Sequence, residues 1–337
     1  MVEDESLDVK DIHRDISQVL TDGDQRAVSA TIPQLLKLPA DTQQTLLRKL
    51  ETVAQVEPAV LEPAVPTLEA VLSGGDRSVR LTAVKVLATI AATQPNAVAD
   101  LSSTLTDALS DDFYYVRGRA AQALGHVAET APEAVDTTTI IARLLNALSL
   151  DRTETRHYVS EALCRISFGD PAPLRTMTSD IAEHLSDEED LVRYYLTTTL
   201  AVVATAEPIY VAAVEPELRD RLDDDVPFVR GRAAETLGLI ARADPDAVEE
   251  ATESLLACRE DGQFVATRAT FALHQLDESP PEFDEEIGTY ETIVTETPSI
   301  VEEITSPDSD ETSCPQCGQT FGEAHPPMCP GCGRPLI

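Results

Sequence analysis

The chain has 337 residues, of which 42% are hydrophobic and only 4% aromatic; acidic residues number 60 against 25 basic ones, for a formal charge of −35. The length suits two domains or one long repeat array. So strong a negative charge makes nucleic acid an unlikely partner and excludes an anionic membrane, since both call for a positive field. No apolar run approaches the roughly 18 residues of a membrane-spanning helix. The first ten residues carry four acids and no apolar stretch, which is not a signal peptide. The cytoplasm is the expected compartment.

From residue 24 to 276 the sequence repeats itself. Val116 opens VRGRAAQALGHVAETAPEAV and Val229 opens VRGRAAETLGLIARADPDAV, with weaker copies from Val79, Thr155, Val192 and Thr267. The repeat arginines Arg80, Arg117, Arg156, Arg193, Arg230 and Arg268 stand 37, 39, 37, 37 and 38 residues apart. A proline follows five of them at a constant offset of 15, as Pro95, Pro132, Pro171, Pro208 and Pro245, and Pro58 extends the register backwards. Apolar residues at helical spacing, such as Val116, Ala120, Ala121, Leu124 and Val127, predict one helix after each Val-Arg. The proline suits the first turn of a second helix, where a missing N–H costs nothing. Acidic loops such as Ser110-Asp111-Asp112 close each unit, placed to cap the next helix and to face its positive end.

This pattern resembles HEAT repeats, in particular the short HEAT-like type of phycobilisome bilin lyases, over roughly residues 24–276. The resemblance implies an all-α solenoid, assigned to residues 1–276. It also implies a ladder of loop aspartates and helix arginines between adjacent repeats; the spacing pairs Asp111 with Arg117, Asp187 with Arg193 and Asp224 with Arg230. The abundance of acids, with four Lys against 21 Arg, resembles proteins of salt-accumulating halophilic archaea. At molar salt the screening length is about 3 Å, so crowded carboxylates repel weakly.

Positions two, five and nine beyond each repeat arginine form one ridge, expected to face out of the core and line a partner-binding groove. It offers Arg119, Gln122 and His126, then Tyr158 and Arg165, then Tyr195 with Tyr194 beside it, then Arg232. Arginine and tyrosine are favoured at interface hot spots. Catalysis finds little support. None of the six histidines is followed by Glu, as iron-binding HEAT-type hydroxylases require, and no phosphate loop or nucleophile elbow appears. Cys164 and Cys258 read as small core residues.

Residues 277–312 carry 13 acids, no Lys or Arg, and four prolines. Such a composition predicts a disordered acidic tether, with a short patch at 290–294 able to pair with something. The last segment, 313–337, contains Cys314-Pro-Gln-Cys317-Gly and Cys329-Pro-Gly-Cys332-Gly. Two such knuckles present four thiolates tetrahedrally, the ligand set of one structural zinc ion; Cys₄ also suits iron. Four apolar residues (Phe321, Met328, Leu336 and Ile337) are too few for a core without metal. The expected protein is a non-enzymatic scaffold or adaptor for protein partners, joining an α-solenoid to a zinc ribbon. The alternatives are a nucleic-acid- or ribosome-associated factor docking through the ribbon, and third an enzyme of the bilin-lyase class.

Overall fold

Each repeat proline does two things to the backbone. It bars the preceding residue from helical geometry, and it opens a new helical turn. The residues before Pro58, Pro95, Pro132, Pro208 and Pro245 accordingly sit at φ near −140° and ψ between 62° and 92°. The long helix of the unit ends there. In the computed structural model, which describes residues 2–150, 152–276, 285–306, 312–313, 320–321 and 328, the outcome is a series of helices of one length. After the N-terminal α1 (Val2–Asp22) come α2 (Ala40–Val56), α3 (Arg77–Thr93), α4 (Tyr114–Thr130), α5 (Thr153–Gly169), α6 (Asp190–Ala206) and α7 (Pro227–Ala243). Each of α2 to α7 has 17 residues, about 25 Å of helix. The slightly shorter α8 (Gln263–Leu276) follows. Between long helices the second element of each repeat is a 3₁₀ turn or one short helical turn running into a further helix, as in Pro95–Val98 then Ser102–Ala108, or Pro245–Ala251 then Thr252–Cys258.

The chain divides into two units. One comprises residues 1–136 with 309–337, the other residues 137–308. In the first, α2 packs on α3 and α3 on α4; in the second, α5, α6, α7 and α8 pack in sequence. The buried residues are overwhelmingly Ala, Val, Leu and Ile. Small residues set how closely neighbours approach: a Cβ on Gly238 of α7 would lie 2.6 Å from the Phe271 ring of α8. Cys164 and Cys258 are buried.

The segment expected to be a disordered tether is not one throughout. Residues 285–288 form a turn and α9 (Tyr290–Ile304) is a helix. Thr289 caps it, accepting a hydrogen bond from the Thr292 N–H, and Ile293, Thr297 and Ile300 form its buried stripe. The composition argument fails here because the apolar face belongs to a groove supplied by other helices, so α9 needs few large residues of its own. The remainder of the tether, 277–284 and 307–311, lies outside the described residues. In the C-terminal segment β1 (Thr312–Ser313) pairs antiparallel with β2 (Thr320–Phe321), in the register Thr312 to Phe321 and Ser313 to Thr320.

Candidate functional site

Two sets of arginines emerge from the repeat, on different sides of each long helix. The repeat arginines form a ladder between adjacent repeats, as the resemblance implies, but with other partners than the spacing suggested. Arg80 Nε and Nη2 grip Asp111 Oδ2 and Oδ1 at 2.7 and 2.8 Å. Arg193 holds Asp224 in the same bidentate way at 2.8 and 3.0 Å. Arg230 reaches Asp261 at 2.7 Å and Arg156 reaches Asp187 at 3.0 Å. Every pair is 31 residues apart. The expected pairings with Arg117, Arg193 and Arg230 are therefore displaced by one repeat. Those arginines instead donate Nη1 to the backbone carbonyls of Asp111, Asp187 and Asp224. The same aspartates accept the N–H two residues on, at Phe113, Glu189 and Val226, so each also shapes the start of a long helix. Burial pushes the Asp111 carboxyl up, but Arg80 and the Phe113 N–H outweigh it and hold it below the usual carboxylate range. Asp261 is lowered likewise against burial, by the Gly262 N–H and Arg230.

The ridge residues divide. Within the first unit Arg119, Gln122 and His126 are half-buried on α4, and Arg119 donates to Gln122 Oε1 at 2.8 Å. In the second unit Tyr158 is half-buried with its ring 3.8 Å from that of His157, and Arg165 pairs with Glu161 at 2.9 Å. The expectation of an outward-facing ridge fails further along. Tyr194 and Arg232 are fully buried and Tyr195 is 7% exposed. Burial, then Glu161, raises the Tyr195 hydroxyl above its ordinary range.

Arg232 is covered by α9, which packs against α6. Its Glu296 meets Arg232 Nη2 at 2.8 Å and takes both oxygens to Arg268 Nη2 at 2.6 Å. Glu235, also fully buried, pairs with Arg232 at 2.5 Å and with Arg268 at 3.2 Å. Arg232 also lies under Tyr194, donating to its hydroxyl at 3.3 Å. Burial disfavours the Arg232 charge, yet Glu235 leads the carboxylates in holding it protonated above its ordinary value. Arg268, stacked 3.5 Å from the Phe264 ring centroid, is a repeat arginine drawn into this cluster. Gly288 completes it: its N–H donates to Glu235 Oε1 at 2.7 Å, φ is +77°, and a Cβ would sit 2.6 Å from Phe271. Only glycine takes that conformation without strain. At the other end of the face, the Tyr290 hydroxyl donates to the Phe168 carbonyl of α5. Sequence reasoning placed Tyr194, Tyr195, Arg232 and Glu235 on the ridge and Arg268 among the repeat arginines, but missed Gly288 and Glu296. The signal for the last was present, since Ile293, Thr297 and Ile300 follow a helical period after a capping Thr289.

Cys314, Cys317, Cys329 and Cys332 lie outside the described residues. Two neighbouring contacts are described. The β1–β2 pair brackets the first Cys-x-x-Cys, and the Tyr115 hydroxyl, at the start of α4, donates to the Met328 carbonyl at 2.7 Å. Among the described residues no helix is long and apolar enough to cross a membrane, and no three His, Cys, Asp or Glu side chains gather as metal ligands.

The family described as "non-SMC mitotic condensation complex subunit 1" matches residues 79–208. No curated protein matches the chain. Among solved structures, an engineered protein superposes with a TM-score of 0.65 at 20% identity, over 88% of this chain and 80% of that one. Another engineered protein gives 0.57 at 20% identity, over 63% and 96%. Computationally designed armadillo repeat proteins for modular peptide recognition give 0.54 at 19% identity, over 63% and 100%. At such identities the likeness is one of fold, and the fold is a helical-repeat architecture of the HEAT and armadillo type.

Proposed function

We propose that the protein is a non-enzymatic scaffold that holds protein partners on the face of its long repeat helices, and carries a structural zinc ribbon at its C-terminal end. One observation supports this reading above the others: the face built by α6, α7 and α8 already receives a helix, α9, through buried arginines and a carboxylate. A surface able to hold one helical segment in this way is suited to holding segments of other chains. The designed armadillo proteins of similar fold are described as made for peptide recognition, which agrees in kind. For the ribbon, the support is the two Cys-x-x-Cys-Gly knuckles and the short hairpin around the first. Cys314, Cys317, Cys329 and Cys332 would hold the ion, whose role is to fold the segment.

The test is capture of partners from the native host by the full chain and three variants. The double change Tyr158→Ala with Arg165→Glu, both in the second unit, should lose at least tenfold of captured partner with an unchanged melting temperature. Cys317→Ser, or chelation, should release one zinc per chain and leave both capture and helical circular dichroism intact. Capture that survives the double change and disappears with the zinc would transfer the function to the ribbon, and with it to the nucleic-acid- or ribosome-docking alternative.

A further inference from the structure

We infer that α9 is a resident, displaceable occupant of a helix-binding face in the second unit. We further infer that the partner displacing it is an amphipathic helix presenting a carboxylate between two aliphatic residues, Ile-x-x-Glu-x-x-x-Ile as in residues 293–300. This deepens the scaffold reading and rests on it for the claim that partners bind here.

The position of α9 is that of a ligand rather than of an end cap. A cap would cover the last helix of the array, whereas α9 runs across several. Its Tyr290 reaches α5, its body packs on α6, and Glu296 ties into α7 through Arg232 and into α8 through Arg268. Its burial is slight: three of its 15 residues are buried, against 13 of the 17 in α6. The outer face carries the exposed Glu291, Glu302 and Glu303. Pro298, inside the helix, removes a backbone donor and disfavours the helix when α9 is undocked. A competing helix without that proline begins with a better backbone.

Charge specifies the competitor. With α9 in place, Arg232 and Arg268 face Glu235 and Glu296, two cations against two anions. Without it, two guanidiniums share one carboxylate, and any helix that covers them again encloses an excess positive charge unless it brings a carboxylate of its own. An uncompensated buried charge is strongly unfavourable, so the open face selects a helix returning a carboxylate to the place of Glu296. The aliphatic positions three before and four after it lie on the same helical face, as Ile293 and Ile300 do. On a chain of charge −35, an acidic helix is not drawn by long-range attraction. Recognition comes from this buried pair.

The probe is a fluorescent peptide of residues 289–305 with Pro298→Ala, titrated into the full-length chain. It should bind a chain opened by Ile293→Asp and Ile300→Asp at least tenfold more tightly than the wild type. Glu296→Gln in the peptide should cost at least tenfold of affinity for the opened chain. Should the double variant lose helical circular dichroism, the milder Thr297→Glu replaces it. Hydrogen exchange of the wild-type chain gives a measure free of variants: saturating peptide should strip protection from 290–304 and leave 190–206 protected. Equal affinity for opened and wild-type chains, indifference to the peptide's glutamate, or unchanged protection of 290–304 would each overturn the inference. If the peptide behaves as expected while partner capture ignores the face, the scaffold reading falls and the specificity of the face stands.

Discussion

The ladder and the α9 cluster are both made of arginine and carboxylate, but they differ in what supplies the second charge. In the ladder, each arginine meets an aspartate 31 residues on, from the next copy of the same repeat; Arg80–Asp111 and Arg230–Asp261 stay partly exposed, while Arg193–Asp224 is buried. In the cluster, two arginines of the repeat array meet Glu296, which belongs to no repeat, and Arg232 is wholly enclosed. The comparison separates interactions that define a repeat from those that terminate access to it. Partial exposure lets rungs such as Arg230–Asp261 be replaced by water at modest cost. Enclosure denies that to the cluster.

The sharpest way to break this distinction is to remove one cation from each. Arg232→Ala should destabilise the chain by about 3–5 kcal/mol, because it strands buried Glu235 and weakens the hold on Glu296. Arg230→Ala, whose partner Asp261 keeps 31% of its side chain exposed, should cost about 1 kcal/mol. Urea unfolding followed by circular dichroism measures both, and equal losses would erase the difference.

Acid should act next, and on the ladder. Asp111 and Asp261 titrate below their ordinary values in the folded chain. Between the folded value and the unfolded one near 3.9, the unfolded chain binds more protons, so stability rises with pH. The contribution is complete above the unfolded value and is lost as the pH falls through the folded ones. Helical signal followed from pH 5 downward should show a shallower fall in stability for Asp111→Asn than for the wild type. The smallest effect belongs to Asp112, which also contacts Arg80 but with 81% of its side chain exposed. Asp112→Ala should change stability by less than about 0.5 kcal/mol, and a larger loss would show that exposure does not rank these pairs.

The sequence made the array legible because a period is carried by many residues at once. Arginine, proline and alanine positions all keep the same spacing, and each has a separate physical reason to recur. The partner in the ladder was less legible: a period says that neighbours pair, but Asp111 stands at comparable reach of arginines on both sides, and only the direction in which helices stack selects Arg80. The ridge misled for a related reason. Helical phase gives a side, and it placed Arg232 and Tyr195 facing out, whereas both are buried. It could not tell that a segment from beyond the repeats returns to enclose Arg232. Its acids and prolines match those of solvated chain, and the few apolar residues that matter, Ile293 and Ile300, gain their meaning from a surface elsewhere in the sequence.

The constant offset of 31 residues has a consequence for how such an array can lengthen. A duplicated unit brings its own arginine for the unit ahead and its own aspartate for the one behind, so it can be spliced between two others without orphaning a charge. Glu296 admits no such insertion: a new unit between α7 and α8 would part Arg232 from Arg268, and one carboxylate could no longer serve both. Growth by duplication is thus open before α5 and closed across the helices that α9 spans, and the C-terminal end of the array is its fixed point.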